Sequence, residues 1–195
     1  MDVYTIGYSP YSLDEFIKTI LQHRISCLID VRSNPHSAYY TDYDKESLSE
    51  KLKKSNILYR NYAHELGARQ EDLRFFCDEG YLDFDIFTKS AQFEDGVEKI
   101  KKGINMGYSF VLMCAEKDPM TCHRAIMIGK ALKEKGFHVK HILYPDRIET
   151  QEEMEQRAIG NQLSFFSEEE RIQEFYRNQN RKIGYRIDTE KEGIA

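Results

Sequence analysis

Short β-rich runs alternate with longer stretches of helical apolar spacing over residues 3–143, and this alternation confines the chain to a parallel sheet joined by crossover helices. The first run covers residues 3–8. Ser12 then stands three residues before Glu15, a capping-box spacing, and Leu13, Phe16, Ile17, Ile20 and Leu21 follow on one helical stripe. The second run, Cys27-Leu28-Ile29-Asp30-Val31-Arg32, reads as a strand buried on both faces and stops at the turn cluster Ser33-Asn34-Pro35. Leu48 and Leu52 predict a helix over residues 44–55, and residues 57–62 a third strand. Residues 63–92 follow neither period. Their aromatics, among them Phe75, Phe76, Tyr81, Phe84 and Phe87, predict a small satellite core in a helical insertion over one end of the sheet. Phe93, Val97, Ile100 and Ile104 mark a further helix closing near Gly107, and Phe110-Val111-Leu112-Met113-Cys114-Ala115 is the clearest central strand. A helix from Pro119 or Thr121 to Gly136 and a last strand at residues 139–143 complete the pattern. The expected architecture is a three-layer, Rossmann-like α/β sandwich with a mainly parallel central sheet, a helical insertion and a helical C-terminal tail.

At 195 residues the chain has room for one main domain and an extension. The division falls at Pro145, giving an α/β domain over residues 1–145 and an extension over 146–195 that is either mostly helical or partly flexible. Beyond it, residues 150–170 hold six acidic side chains and one basic, while residues 171–187 carry Arg171, Arg177, Arg181, Lys182 and Arg186 against Glu174 alone. The net charge of −5 excludes a globally basic nucleic-acid binder, although such a sum hides local patches. No apolar run approaches the roughly 18 residues of a membrane span, so no membrane partner is expected. The opening Met-Asp-Val-Tyr lacks a basic, then apolar, leader, which makes the cytoplasm the expected location. Four cysteines are sparse for a disulfide scaffold, and all are read as thiols.

Ligands of open α/β sheets bind beyond the carboxyl ends of the strands, and that rule sorts the polar residues. The first strand delivers Gly7, Tyr8 and Ser9 to this edge, the second Arg32 and Ser33 with His36 just beyond, and the central strand Cys114, Glu116, Cys122, His123 and Arg124. Arg32 and Arg124 suit bidentate capture of a phosphate or carboxylate, the following helix N terminus favours an anion, and a positive setting lowers a thiol's pKa. His123 is placed for proton transfer, Cys114 or Cys122 for nucleophilic work, and Glu116 as a general base or as a brace for an arginine. With Thr121 as N-cap, Cys122 to Arg124 fill the first turn; with Asp118 as N-cap they lie one turn deeper. Each residue alone has a structural reading: Cys114 and Cys122 as small buried hydrophobes, His123 and Arg124 as a solvated pair, Arg32 as a partner for Asp30 or Glu116, and Gly7 as a turn residue. His138 and His141 read as ordinary edge-of-strand residues. Cys114, Cys122 and His123 are three ligand types, but their spacing is unusual and the adjacent arginine repels a cation, so no metal is expected.

There is no phosphate-binding G-x-x-x-x-G-K-[ST] loop, no G-x-G-x-x-G fingerprint, no C-x-x-C pair and no G-x-S-x-G elbow, and no cofactor is assigned. Thr5-Ile6-Gly7-Tyr8-Ser9, Ile29-Asp30-Val31-Arg32-Ser33-Asn34-Pro35, Leu66-Gly67, Cys114-Ala115-Glu116 and Cys122-His123-Arg124 occur in one order that closely resembles the domain of unknown function 488 family. The resemblance covers about residues 3–145 and implies a three-layer α/β fold with a polar pocket built from these motifs, without an established reaction. Ala68 departs from it, where members often carry a second glycine. Asp30-Val31-Arg32, a strand ending in Cys114 and a helix ending in Gly136-Phe137 also look weakly like rhodanese-type sulfurtransferases, which implies a persulfide on Cys114; Glu116 and Asp118 oppose such an anion. The leading expectation is an enzyme of unassigned reaction with a Cys/His/Arg pocket for a small anionic, phosphate-bearing ligand, a nucleotide or nucleic acid included. A nucleic-acid-associated module using the basic tail, and sulfur transfer through Cys114, are the alternatives.

Overall fold

A computed structural model describes residues 1–161 and 164–187; the end of the expected extension, 188–195, lies outside the described residues. The six-stranded sheet has the order β3-β2-β4-β1-β5-β6, with β1 (Asp2–Gly7), β2 (Cys27–Asp30), β3 (Leu58–Asn61), β4 (Phe110–Cys114) and β5 (His138–Leu143) parallel. The sheet does not end at residue 143, since β6 (Arg147–Thr150) returns antiparallel along β5. Leaving β1, the chain passes through α1 (Leu13–Gln22) toward the β2–β3 side; leaving β4, it crosses toward β5. Adjacent β1 and β4 therefore send their connections in opposite directions, which opens a crevice at their carboxyl ends.

Strand periodicity sets the two cores. Val111 and Met113 of β4 join Ile6, Leu28, Phe16, Ile20, Leu48 and Leu52 beneath α1 and α2 (Lys45–Lys54). Phe110, Leu112 and Cys114 face the opposite layer, with Phe93, Val97 and Ile100 of α5 (Ala91–Asn105) and with Ile126 and Leu132. Two short helices, α3 (Ala63–Leu66) and α4 (Phe84–Phe87), lie in the insertion. Its aromatics do not form a separate satellite: Phe84 and Phe87 belong to the larger core, where Phe87 meets the Phe93 ring edge-on at 5.7 Å.

The helix expected from Pro119 or Thr121 takes another form. Asp118 caps a 3-10 turn, Pro119–Thr121, by accepting from the Met120 N–H. Cys122 is then extended (φ −129°, ψ 138°), and a π-helical stretch, Arg124–Gly129, leads into α6 (Lys130–Glu134). Cys122 thus lies ahead of the helix rather than in its first turn or one turn deeper. Its carbonyl accepts from the Ala125 and Ile126 N–H groups.

Beyond β6, α7 (Gln151–Ile159) and α8 (Glu168–Ile183) both start in capping boxes, and they add Met154 and Tyr176 to the larger core. No described helix is long and apolar enough to cross a membrane.

Candidate active site at the β1–β4 crevice

Three loops converge on a cleft of about 420 Å³ at the carboxyl edge of the sheet. Tyr8 follows β1, Arg32 and Ser33 follow β2, and Cys114, Glu116 and His123 line the cleft from the β4 side. Gly7 lines none of it. A Cβ there would lie 1.8 Å from the Glu116 carbonyl oxygen, so glycine is required for close approach of β1 to the Glu116 loop rather than for a turn. Ser9 also lies outside the lining, its N–H donating to the Ala115 carbonyl.

On the β2 side, Arg32 is only 5% exposed. Its Nε and Nη2 donate to the two carboxylate oxygens of buried Asp30 at 2.9 and 2.6 Å, and Nη2 also donates to the Tyr43 carbonyl. The Tyr59 hydroxyl donates to the same carboxylate at 2.8 Å. Tyr8 lies under the guanidinium at 5.1 Å and stacks on Tyr43. The ion pair leaves one guanidinium nitrogen over: Arg32 Nη1 is buried without a hydrogen bond of normal geometry, with the Tyr8 hydroxyl beside the guanidinium.

Arg124 is placed differently from the anion grip expected of it. It is fully buried and absent from the cleft lining; Nη1 and Nη2 donate to the Glu116 and Lys117 carbonyls. It braces the loop that carries Glu116. The cleft lining does contain a second arginine, Arg69, an exposed residue over the Tyr185 ring at 5.6 Å with no carboxylate partner among the described residues. Neither Arg69 nor Tyr185 was marked by sequence reasoning. Arg69 follows the Leu66-Gly67 motif by two residues, which was the available signal; Tyr185 reaches the cleft from the tail, and no local pattern announces that.

The chemistry gathers on the β4 side. Cys114 faces the α6 layer by strand alternation, and the extended backbone at Cys122 brings the second thiol to it. The His123 Nε2–H donates to the Val31 carbonyl at 3.1 Å, which turns Nδ1 toward the sulfurs of Cys114 at 3.7 Å and Cys122 at 3.9 Å. Cys122 Sγ lies 2.9 Å from Glu116 Oε2, a contact that needs one proton between the two groups.

The electrostatics separate the thiols. A hydrogen bond to Cys122 and then burial push the Cys114 thiol well above its ordinary pKa. Burial acts the same way on Cys122, but the hydrogen bond with Cys114, the Arg124 guanidinium and His123 outweigh it and bring this thiol well below. Crowding of the carboxylate by protein, then the Cys122 sulfur, raise Glu116; burial lowers His123, but Cys122 and Glu116 reverse the sign and hold it above its usual value. All four cysteines are free thiols.

The basic tail is largely engaged within the chain. Arg171 donates to the Gly160 carbonyl, Arg181 pairs with Glu79 at 2.9 Å and Arg186 donates to the Glu79 carbonyl. His141 is fully buried between β1 and α7, not an ordinary strand-edge residue, whereas exposed His138 pairs with Asp2 at 3.3 Å.

No curated protein and no solved structure matches the chain. A family model does, over residues 12–130, and that span takes in the Arg32, Leu66-Gly67, Cys114 and Cys122-His123-Arg124 segments that build this cleft; it speaks for that family and not for the rhodanese-type likeness. The chain belongs to the family described as domain of unknown function DUF488.

Proposed function

We propose that this protein is an enzyme acting on a small anionic, phosphate-bearing substrate in the β1–β4 cleft. The observation that carries this reading is Arg32 on the lining shared with Cys114 and His123, a buried guanidinium whose Nη1 makes no hydrogen bond of normal geometry and whose other polar neighbour there is the Tyr8 hydroxyl. A guanidinium donor without a well-formed bond is costly in a protein interior, and a phosphate oxygen satisfies it with a charge-assisted bond. Asp30 holds Arg32 in place, exposed Arg69 adds positive charge at the rim, and Ser33 contributes a hydroxyl, although its Oγ already accepts from the Arg69 N–H. His123, with its Nδ1 directed at the sulfurs, carries the proton, and the cluster of Cys114, Glu116 and Cys122 supplies the reacting group.

Calorimetric titration with inorganic phosphate and with a nucleoside monophosphate tests the binding half. Saturable binding is expected, weakened roughly tenfold or more in Arg69→Gln and by added salt. Absence of saturable binding by both probes contradicts the reading. Turnover of a panel of phosphate esters tests the other half and is expected to disappear in His123→Gln. Sulfur transfer through Cys114 is the weaker reading, because Glu116 and Cys122 crowd the sulfur that would bear the persulfide anion. Nucleic-acid association gains little from a basic tail that spends Arg171, Arg181 and Arg186 on internal partners.

A further inference from the structure

We propose that Cys114, Cys122 and His123 bind a thiophilic divalent cation of the zinc class, with its remaining coordination position open to the cleft beside Glu116. This deepens the reading of the cleft as an active site, and it rests on that reading only for what the metal would do there. With the metal bound, His123 Nδ1 is a ligand and Nε2 is held by Val31, so the proton-carrying role given to His123 passes to Glu116.

The three ligand atoms, Cys114 Sγ, Cys122 Sγ and His123 Nδ1, all lie within 4.8 Å of one another. Zinc–sulfur and zinc–nitrogen bonds of about 2.3 and 2.0–2.1 Å at tetrahedral angles separate S and N by about 3.6 Å. The distances found, 3.7 and 3.9 Å, are within a few tenths of that edge. Packing alone does not call for this arrangement. Two small buried thiols pack equally well against apolar neighbours, whereas here both sulfurs converge on the lone-pair side of one imidazole.

A second observation supports a ligand role for that imidazole. Its other nitrogen donates to the Val31 carbonyl, the outer contact that fixes ring orientation and tautomer in metal-bound histidines. Access is also present. Cys114, His123 and Glu116 line the cleft while Cys122 lies behind them, so three protein donors leave the fourth direction facing the cleft. This is the donor count of a catalytic rather than a structural zinc site. Glu116 Oε2, already against Cys122 Sγ, is positioned to hold a water or substrate oxygen in that direction.

The sequence argument against a cation, repulsion by Arg124, reverses once the donors are counted. Binding displaces the protons of both thiols, so two thiolates cancel the divalent charge. The one proton of the Cys122–Glu116 contact then rests on Glu116, so the site carries no net charge and Arg124, spent on the Glu116 and Lys117 carbonyls, has no bare cation to repel.

Titration of the full-length reduced protein with Co²⁺, followed by competition with Zn²⁺, tests the assignment. A single equivalent of Co²⁺ is expected to produce sulfur-to-cobalt charge-transfer absorption with intense tetrahedral d–d bands, and Zn²⁺ to abolish both. Cys114→Ser and Cys122→Ser should each weaken the charge transfer, and Cys27→Ser and Cys77→Ser leave it intact. Glu116→Gln should keep the stoichiometry and weaken affinity about 10- to 100-fold, as expected for a group acting on the outer sphere. Far-ultraviolet circular dichroism of each variant separates loss of a ligand from loss of the fold, and the wild-type spectrum stands whichever variants fail. A wild type without charge-transfer bands overturns the proposal, as does a signal that Cys77→Ser removes and Cys114→Ser does not. Phosphate titration of the metal-free protein is read separately, so failure of either proposal is distinguishable from failure of the other.

Discussion

His141 shows how far one side chain can depart from its sequence reading. Between Val139 and Lys140 on one side and Ile142 on the other it looks like a strand residue of no consequence, yet it is fully buried and bonded at both nitrogens. Nε2 donates to Gln151 Oε1 at 2.9 Å, and Nδ1 accepts from the Thr5 hydroxyl at 2.7 Å. Burial, then the nearby Arg124 charge, lower its pKa to about 3. The unfolded chain takes up this proton near pH 6.5 and the folded chain resists it, so the histidine's contribution is full above about pH 6.5 and declines by about 1.4 kcal/mol per unit as pH falls toward 3. Urea midpoints measured between about pH 7 and 5 should therefore fall more steeply for wild type than for His141→Gln; parallel profiles would contradict this account. Gly7 carries a second prediction. The added methyl of Gly7→Ala meets the Glu116 carbonyl and should cost about 1–3 kcal/mol or more in denaturant unfolding, while disturbing the loop Arg124 braces. The cysteines and His123 were legible because strand alternation and the carboxyl-edge rule place them without side-chain detail. Arg124 was not, since sequence does not say whether a guanidinium will be spent on carbonyl oxygens.

Regular elements were the most readable part of the chain. The capping box of Ser12 and Glu15 and the stripe of Leu13, Phe16 and Ile20 specify α1 locally, and the helix forms where they predict. The stretch after β4 was misread because Asp118 and Pro119 satisfy a helix start and yet build only one 3-10 turn. The later π-helical segment depends on contacts from distant elements, such as Gln151, whose Oε1 would lie 2.3 Å from a Cβ on Gly129. Gln151 also joins α7 and α8 to the sheet: its amide donates to the Ala125 carbonyl and the Tyr176 hydroxyl, and Tyr176 donates to Glu155, which Lys133 pairs. Every member of that buried chain has a partner, so removing one oxygen strands its neighbours. Tyr176→Phe should destabilise the protein by about 1–3 kcal/mol and speed amide exchange in α7 and α8 above all; uniform exchange across the chain would argue against this tie.

The topology of the molecule was legible because crossover rules leave few ways to connect alternating strands and helices. Its C-terminal third was less so. β6 is short and polar and pairs only because β5 presents an edge, while Tyr185 reaches the cleft through backbone pairing with Leu82, a contact spanning about half the chain. A fragment of residues 1–145 would lack β6, the Gln151 partner of His141, and the Met154 and Tyr176 side chains of the larger core. It should lose cooperative thermal unfolding, whereas a fragment melting cooperatively near the full-length temperature would show the extension to be an appendage. The cleft itself is tested most directly by a crystal structure determined with phosphate or vanadate present. The anion is expected within hydrogen-bond reach of Arg32 Nη1, between Ser33 and the Cys114–His123 cluster, with the Arg32–Asp30 pair intact. A cleft left empty while Arg32 Nη1 bonds to a protein group, or an anion bound only elsewhere, would contradict it.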